Sequence, residues 1–262
     1  MPNQLQDLTS KFYDNILLDE EYLQPDGYGN TNDVRHIQGL CLGRPGSGKS
    51  TLAHSIAETI VKKYGNDNSA CHWSRADLHI LLQHGLKDKL VNFLFLDDLT
   101  LAEIDSEDMS QYFQIRHLLK QKTGRRNGLV ITLIGLHRLH AIPPSLRTNF
   151  DFLLFKSAPT NKYDRDFVKE YIGVEGIDLL DKLDLQRYKQ KELFELGVIW
   201  LKGMGNGMIV SKMPVNNYMT ELVYGKTARR EDSDELYTNF VIKAYLDSLK
   251  DDSKKNNWDG KE

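Results

Sequence analysis

Two cysteines in 262 residues, Cys41 and Cys71, are too few for a disulfide framework, and both sit in apolar, strand-like runs. They read as buried thiols. No stretch approaches the roughly 18 consecutive apolar residues that a membrane-spanning helix requires. The opening MPNQLQDLTSKF lacks the apolar core of a secretion signal. These absences lead us to expect a protein of the cytoplasm of a cell or an infected cell, with a virion as the other location. Excess positive charge is missing as well. The formal net charge is −3, so any nucleic-acid partner must be held by a local patch or by a ring of subunits. His36, His54, His72, His79 and His84 show no metal-ligand spacing, which argues against zinc. No internal repeat is present.

What remains is ordinary globular material, 40% apolar and 27% charged, enough for one sizeable α/β core and an appendage. Residues 1–35 are polar, with turn signals at Pro25-Asp26-Gly27, and read as a short helix and a loop. From residue 36, short apolar runs at 37–42, 70–73, 92–97, 129–135 and 150–155 alternate with helical patterns. Leu52, Ile56, Ile60 and Val61 keep helical spacing, as do Tyr112, Ile115, Leu118 and Leu119. Continuous apolar strands alternating with helices predict a mainly parallel sheet covered on both faces, an α/β three-layer sandwich. Residues 164–195 read as helical. A hairpin is expected around Gly203-Met204-Gly205-Asn206-Gly207, and residues 215–262 as a C-terminal helix and a disordered tail. The expected organisation is an N-terminal segment over 1–35, one main domain over 36–214, and the C-terminal segment.

The stretch Gly43-Arg44-Pro45-Gly46-Ser47-Gly48-Lys49-Ser50-Thr51 fits G-x-x-x-x-G-K-[ST] and stands between a strand and a helix. Its glycines let backbone N–H groups turn inward around phosphate oxygens. Lys49 is placed to reach the β- and γ-phosphates of ATP, and the Ser50 hydroxyl to ligate Mg²⁺. The helix that follows points its positive end at the same phosphates. The run Asn92-Phe93-Leu94-Phe95-Leu96 ends in Asp97 and Asp98. Asp97 suits the metal, and Asp98 the orientation or deprotonation of an attacking water. Two adjacent carboxylates also occur as plain strand-end caps.

Downstream, a polar side chain at the end of the strand over 129–135 would face the γ-phosphate. His137 is the leading candidate, Thr132 lying too deep in the strand. Arg125 and Arg126 precede that strand, at its opposite end. They read either as a solvated turn or, with Arg126 foremost, as an arginine finger offered to a neighbouring subunit. Pro143-Pro144 break the chain and set Arg147 ahead of the next strand, as a functional arginine or an ordinary ion-pair partner. His72, Trp73 and Arg75 could form a DNA-contacting loop, but core packing of Trp73 is the simpler reading. Lys87 and Lys89 are possible DNA contacts, with Asp88 between them arguing for a solvated charged turn.

The loop, the acid-ended strand, GRRNGLVITLIGLHRLH and IPPSLRTNFDFLL together resemble the FtsK–HerA superfamily of DNA-pumping and viral genome-packaging ATPases. The later LFELGVIWLKGMGNGMIVSKMP is similar to the strands that close the core in that group. The likeness spans residues 36 to 214. It implies an additional-strand, RecA- and FtsK-like P-loop fold, a homo-oligomeric ring, and ATP hydrolysis with Mg²⁺ spent on moving or packaging DNA through sequence-independent phosphate contacts. Two positions depart from the group: His137 stands where it usually has Gln, and Asp98 where it usually has Glu. Two other readings remain open at this level. One is an AAA+ ATPase of the replication-initiator or helicase-loader type, with residues 160–195 as its lid. The other is an ATP-gated protein-binding switch.

Overall fold

The structure, a computed structural model, describes residues 6–18, 23, 34–75, 78–97, 106–138, 146, 149–186 and 196–211. All of these belong to one unit, Met1–Val223. The expected C-terminal helix and tail over 215–262 lie outside the described residues.

In chain order the elements are α1 (Thr9–Ile16), β1 (Val34–Leu42), α2 (Lys49–Asn68), β2 (Ser69–Arg75), α3 (Leu78–His84), β3 (Val91–Asp97), α4 (Ser106–Phe113), α5 (Ile115–Thr123), β4 (Gly128–Leu136), β5 (Phe152–Phe155), α6 (Lys162–Gln186), β6 (Leu196–Leu201) and β7 (Gly205–Val210). They form a seven-stranded sheet in the order β2-β3-β4-β1-β5-β6-β7. The first five strands in that order are mutually parallel, and β6 and β7 extend the sheet antiparallel. This is the mainly parallel α/β sandwich expected from the sequence. β4 stands between β1 and β3, the inserted strand of an additional-strand P-loop fold.

The unbroken apolar runs follow from burial on both faces, and successive residues alternate between two core layers. Leu94 and Leu96 of β3, Val130, Ile134 and Leu136 of β4, and Leu153 and Phe155 of β5 meet α3, α4, α5 and α6 on one face. Phe93 and Phe95, Leu129, Ile131 and Leu133, and Phe152 and Leu154 meet α1 and α2 on the other. Helix α2 buries Leu52, Ile56 and Ile60 at helical spacing. Helix α5 buries Ile115 and Leu119 and stops at Gly124, whose positive φ of 72° turns the chain back toward β4.

Because α2 covers one face and the later helices the other, the C-terminal end of β1 opens a crevice where the chain parts to both sides. In open parallel sheets such a switch point is where ligands bind.

Candidate functional site

Sheet register assembles the site. Leu42 of β1 pairs with Leu136 of β4, so Gly43 and His137 leave the sheet side by side. The Gly43 N–H donates to the Leu136 carbonyl at 3.0 Å, continuing the ladder one step past the strands. Leu96 of β3 pairs with Ile134, which sets Asp97 beside Gly135.

The loop from Gly43 to Gly48 turns on two positive φ angles, 72° at Gly46 and 92° at Gly48, and Gly48 starts α2. Arg44, Pro45 and Gly46 are exposed on its outer side, and Thr51 lies in the first turn of α2. Lys49, only 5% exposed, folds its side chain back into the loop. Its ammonium donates to the carbonyls of Gly43 at 3.0 Å and Arg44 at 3.4 Å, and lies 3.0 Å from His137 Nδ1. The same Nδ1 is 2.9 Å from the Gly43 carbonyl. The Ser50 hydroxyl donates to Asp97 Oδ2 at 3.2 Å. These two oxygens are the pair that could share a hard divalent cation.

The cradle is tight. A Cβ on Gly43 would come within 2.3 Å of Ser47 Oγ, and a Cβ on Gly135 within 2.9 Å of Asp97 Oδ1. Ser47 Oγ is buried and has no hydrogen-bond partner among the described residues. A buried hydroxyl left so is costly until a ligand supplies its partner.

Of the residues singled out in the sequence, the structure therefore brings together Gly43, Ser47, Gly48, Lys49, Ser50, Asp97 and His137. Asp98 and Arg147 lie outside the described residues. Arg126 is exposed in the turn before β4, at the end of the strand opposite His137. A nine-residue strand separates the two by about 30 Å. Its neighbour Arg125 pairs with Asp88 at 2.9 Å. Thr132 is buried and bonded to His36 Nε2 and the Tyr112 hydroxyl, each at 2.9 Å, well away from the loop. Trp73 packs edge-on against His54 and Phe95. Lys89 donates to the Asp67 carbonyl at the end of α2.

Burial pushes the thiols of Cys41 and Cys71 up to about 12. Both cysteines are free, Cys41 buried and Cys71 half-buried.

Sequence reasoning passed over Ser157, whose hydroxyl accepts the Arg44 N–H at 2.7 Å, and Asp184, which reaches the loop from α6. It also passed over the tight approach at Gly135. A glycine inside an otherwise apolar strand was the available signal for that one.

No protein-family model matches the chain, and no curated protein matches it in sequence. Among solved structures the chain is similar to the DNA-packaging ATPase of Sulfolobus turreted icosahedral virus, at 11% identity and a TM-score of 0.43 over 70% of this chain and 100% of that one. It is similar to the pCW3 conjugation coupling protein TcpA, in its monomer form with ATPγS, at 12% identity and a TM-score of 0.40 over 83% of this chain and 72% of that one. It is also similar to the cytoplasmic domain of the type VII secretion ATPase EccC of Thermomonospora curvata, at 15% identity and a TM-score of 0.40 over 68% of this chain and 26% of that one. With likenesses this distant, the function rests on the residues of the site itself.

Proposed function

We propose that this chain is a Mg²⁺-dependent ATPase whose domain over 36–214 works in a homo-oligomeric ring to translocate or package DNA. The observation that carries the reading is the convergence of Lys49, Ser50, Asp97 and His137 on one glycine loop, at the switch point of a sheet with β4 inserted between β1 and β3.

In this reading the backbone N–H groups of the loop and the N-terminus of α2 hold the phosphates of ATP. Lys49 exchanges its two carbonyl partners for phosphate oxygens, and Ser47 Oγ gains the partner it lacks. Ser50 and Asp97 hold Mg²⁺, which when bound neutralises charge developing on the phosphates. Asp98, next in the chain, orients or deprotonates the attacking water. His137 senses the γ-phosphate and is coupled to the loop through Lys49 and the Gly43 carbonyl. Arg126 cannot reach the loop of its own subunit, so it serves as a finger at a neighbour's nucleotide. Arg147 is the second arginine of this reading, acting on the nucleotide of its own subunit or of a neighbour.

The DNA part of the reading is supported by the GRRNGLVITLIGLHRLH and IPPSLRTNFDFLL motifs. The antiparallel pair β6–β7, continuing the sheet directly from β5, favours a motor of this type over a helical-lid AAA+ loader. ATP hydrolysis by the purified protein, measured alone and with single- or double-stranded DNA beside Lys49→Ala, tests it. A Lys49-dependent rate that rises several-fold with DNA is the expected result. A Lys49-dependent rate indifferent to both DNAs sinks the motor and leaves the helicase-loader type or an ATP-gated switch.

A further inference from the structure

We propose that Asp184, in the second arm of α6, is a positioning residue for the phosphate loop, a role that rests on the nucleotide reading above. Helix α6 is two helical arms joined at Gly173, where φ is 70° and ψ is −176°. The arms fold back on each other. Arg165 in the first grips Asp181 in the second through paired hydrogen bonds of 3.1 and 2.7 Å. That grip holds the Asp181 carboxyl below its ordinary range. It also returns the second arm to the chain segment that leaves β5.

There Asp184 Oδ2 accepts the Ala158 N–H at 3.0 Å and lies 3.6 Å from the Arg44 guanidinium. Arg44 answers twice. Its guanidinium donates to the Ala158 carbonyl at 3.3 Å, and its backbone N–H donates to Ser157 Oγ at 2.7 Å. The second residue of the loop is thereby tied to the strand-end segment by contacts that all converge on Ser157, Ala158 and Asp184. The segment itself is fixed from behind. Lys156 donates its N–H to the Leu42 carbonyl, and its fully buried ammonium to the Leu196 carbonyl and Ser211 Oγ.

A loop carrying three glycines over 43–48 has more backbone freedom to lose than any other kind of segment, and a ligand that must order it binds less tightly. Holding the loop at Arg44 removes part of that cost before the nucleotide arrives. Asp184 touches no phosphate; it acts through Arg44 and Ala158. Its loss is therefore expected in affinity and not in the chemical step.

The test is direct calorimetric binding of Mg-ATP, with KM, kcat and thermal midpoint, for the full chain, Asp184→Asn, Asp184→Glu, Arg44→Ala and the Arg44→Ala/Asp184→Asn double variant. Asp184→Asn is expected to weaken binding and raise KM about two- to fivefold, with kcat within about 1.5-fold. Asp184→Glu, which keeps the charge, should restore most of the affinity. The double variant should bind no more weakly than Arg44→Ala alone, since both changes break one connection. Unchanged binding in Asp184→Asn, or losses that multiply in the double variant, overturns the role. So does a fall in thermal midpoint and kcat with binding intact. A wild-type chain that binds no ATP removes the nucleotide reading and this role together. Lys49-dependent binding that ignores Asp184 removes only this role.

Discussion

The Lys49 ammonium and the His137 imidazole lie 3.0 Å apart and converge on a single carbonyl, that of Gly43. Nδ1 of His137 can accept from the ammonium only when it carries no proton, and can donate to the carbonyl only when it does. The two contacts exclude each other. Departure of Lys49 toward phosphate would leave the carbonyl to His137 and select the Nδ1–H tautomer, which couples loop occupancy to the tip of β4.

His137→Ala is therefore expected to lower kcat by about 10- to 100-fold while ATP binding stays within about threefold of wild type. His137→Gln, whose amide can donate the same bond, should keep most of the rate. Lys49→Ala should lose binding and rate together. Steady-state kinetics with a binding titration separates these outcomes, and a fully active His137→Ala would remove the sensor role.

Gly135→Ala would put a methyl group 2.9 Å from Asp97 Oδ1 and 3.3 Å from the Phe95 ring. Asp97 is 9% exposed and has little room to retreat. The Mg²⁺ concentration needed for half-maximal hydrolysis should rise several-fold, with a loss of stability of about 1–3 kcal/mol from overpacking. A Mg²⁺ titration of the rate, beside a denaturation curve, reads both. An unchanged Mg²⁺ requirement would dissociate Asp97 from the metal.

Arg126 and the loop occupy opposite ends of β4, so any catalytic action of the arginine must occur between subunits. Arg126→Ala and Lys49→Ala should each be inactive alone. Mixed, they should regain a measurable fraction of the rate, because interfaces with one intact loop and one intact arginine then form. No recovery on mixing, with mass measurements showing that mixed assemblies exist, would rule the finger out.

His36, on β1, is held neutral. Burial first, and then the nearby Arg116 charge, lower its pKa from 6.5 to about 3. Burial lowers His54 to about 4 in the same way. Below pH 6.5 the unfolded chain binds protons that the folded chain refuses, so stability must fall as pH drops from about 7 toward 4. Asp181, whose pKa is lowered, keeps its charge over most of that window. The thermal midpoint of wild type should drop between pH 7 and pH 5, and His36→Gln should flatten part of the slope. Parallel profiles would mean that His36 takes no part in the acid response.

The central strands β3 and β4 were legible because each is buried along its whole length, with little polar interruption to blur its limits, whereas the polar start of β1, Arg35-His36, hid its first residues. β4 (Gly128–Leu136) and β3 (Val91–Asp97) fall within a residue of the runs that announced them. The phosphate loop was legible because its backbone demands glycine where only glycine will do, at Gly46 and Gly48. Asp184 was not. Nothing in a charged helical stretch distinguishes a carboxylate that crosses to a loop 140 positions away from one that meets solvent. The distinction arises only from the bend at Gly173. The His36–Thr132–Tyr112 chain escaped for a related reason, since its members come from three separate elements and share no spacing.

The last strand of the sheet, β7, is closed on its outer side by the first described residues of the chain. Met208 exchanges backbone hydrogen bonds with Leu8 and Gln6, and the Thr9 hydroxyl accepts the Val210 N–H. During synthesis residues 6–9 wait some 200 residues for their partner strand, so this edge of β7 is covered only after the rest of the described sheet has been made. A chain lacking residues 6–9 would keep every residue of the phosphate loop. It would also lose the bonds that Gln6, Leu8 and Thr9 make along the edge of β7, and unpaired strand edges are the kind of surface on which copies of a protein stick to one another.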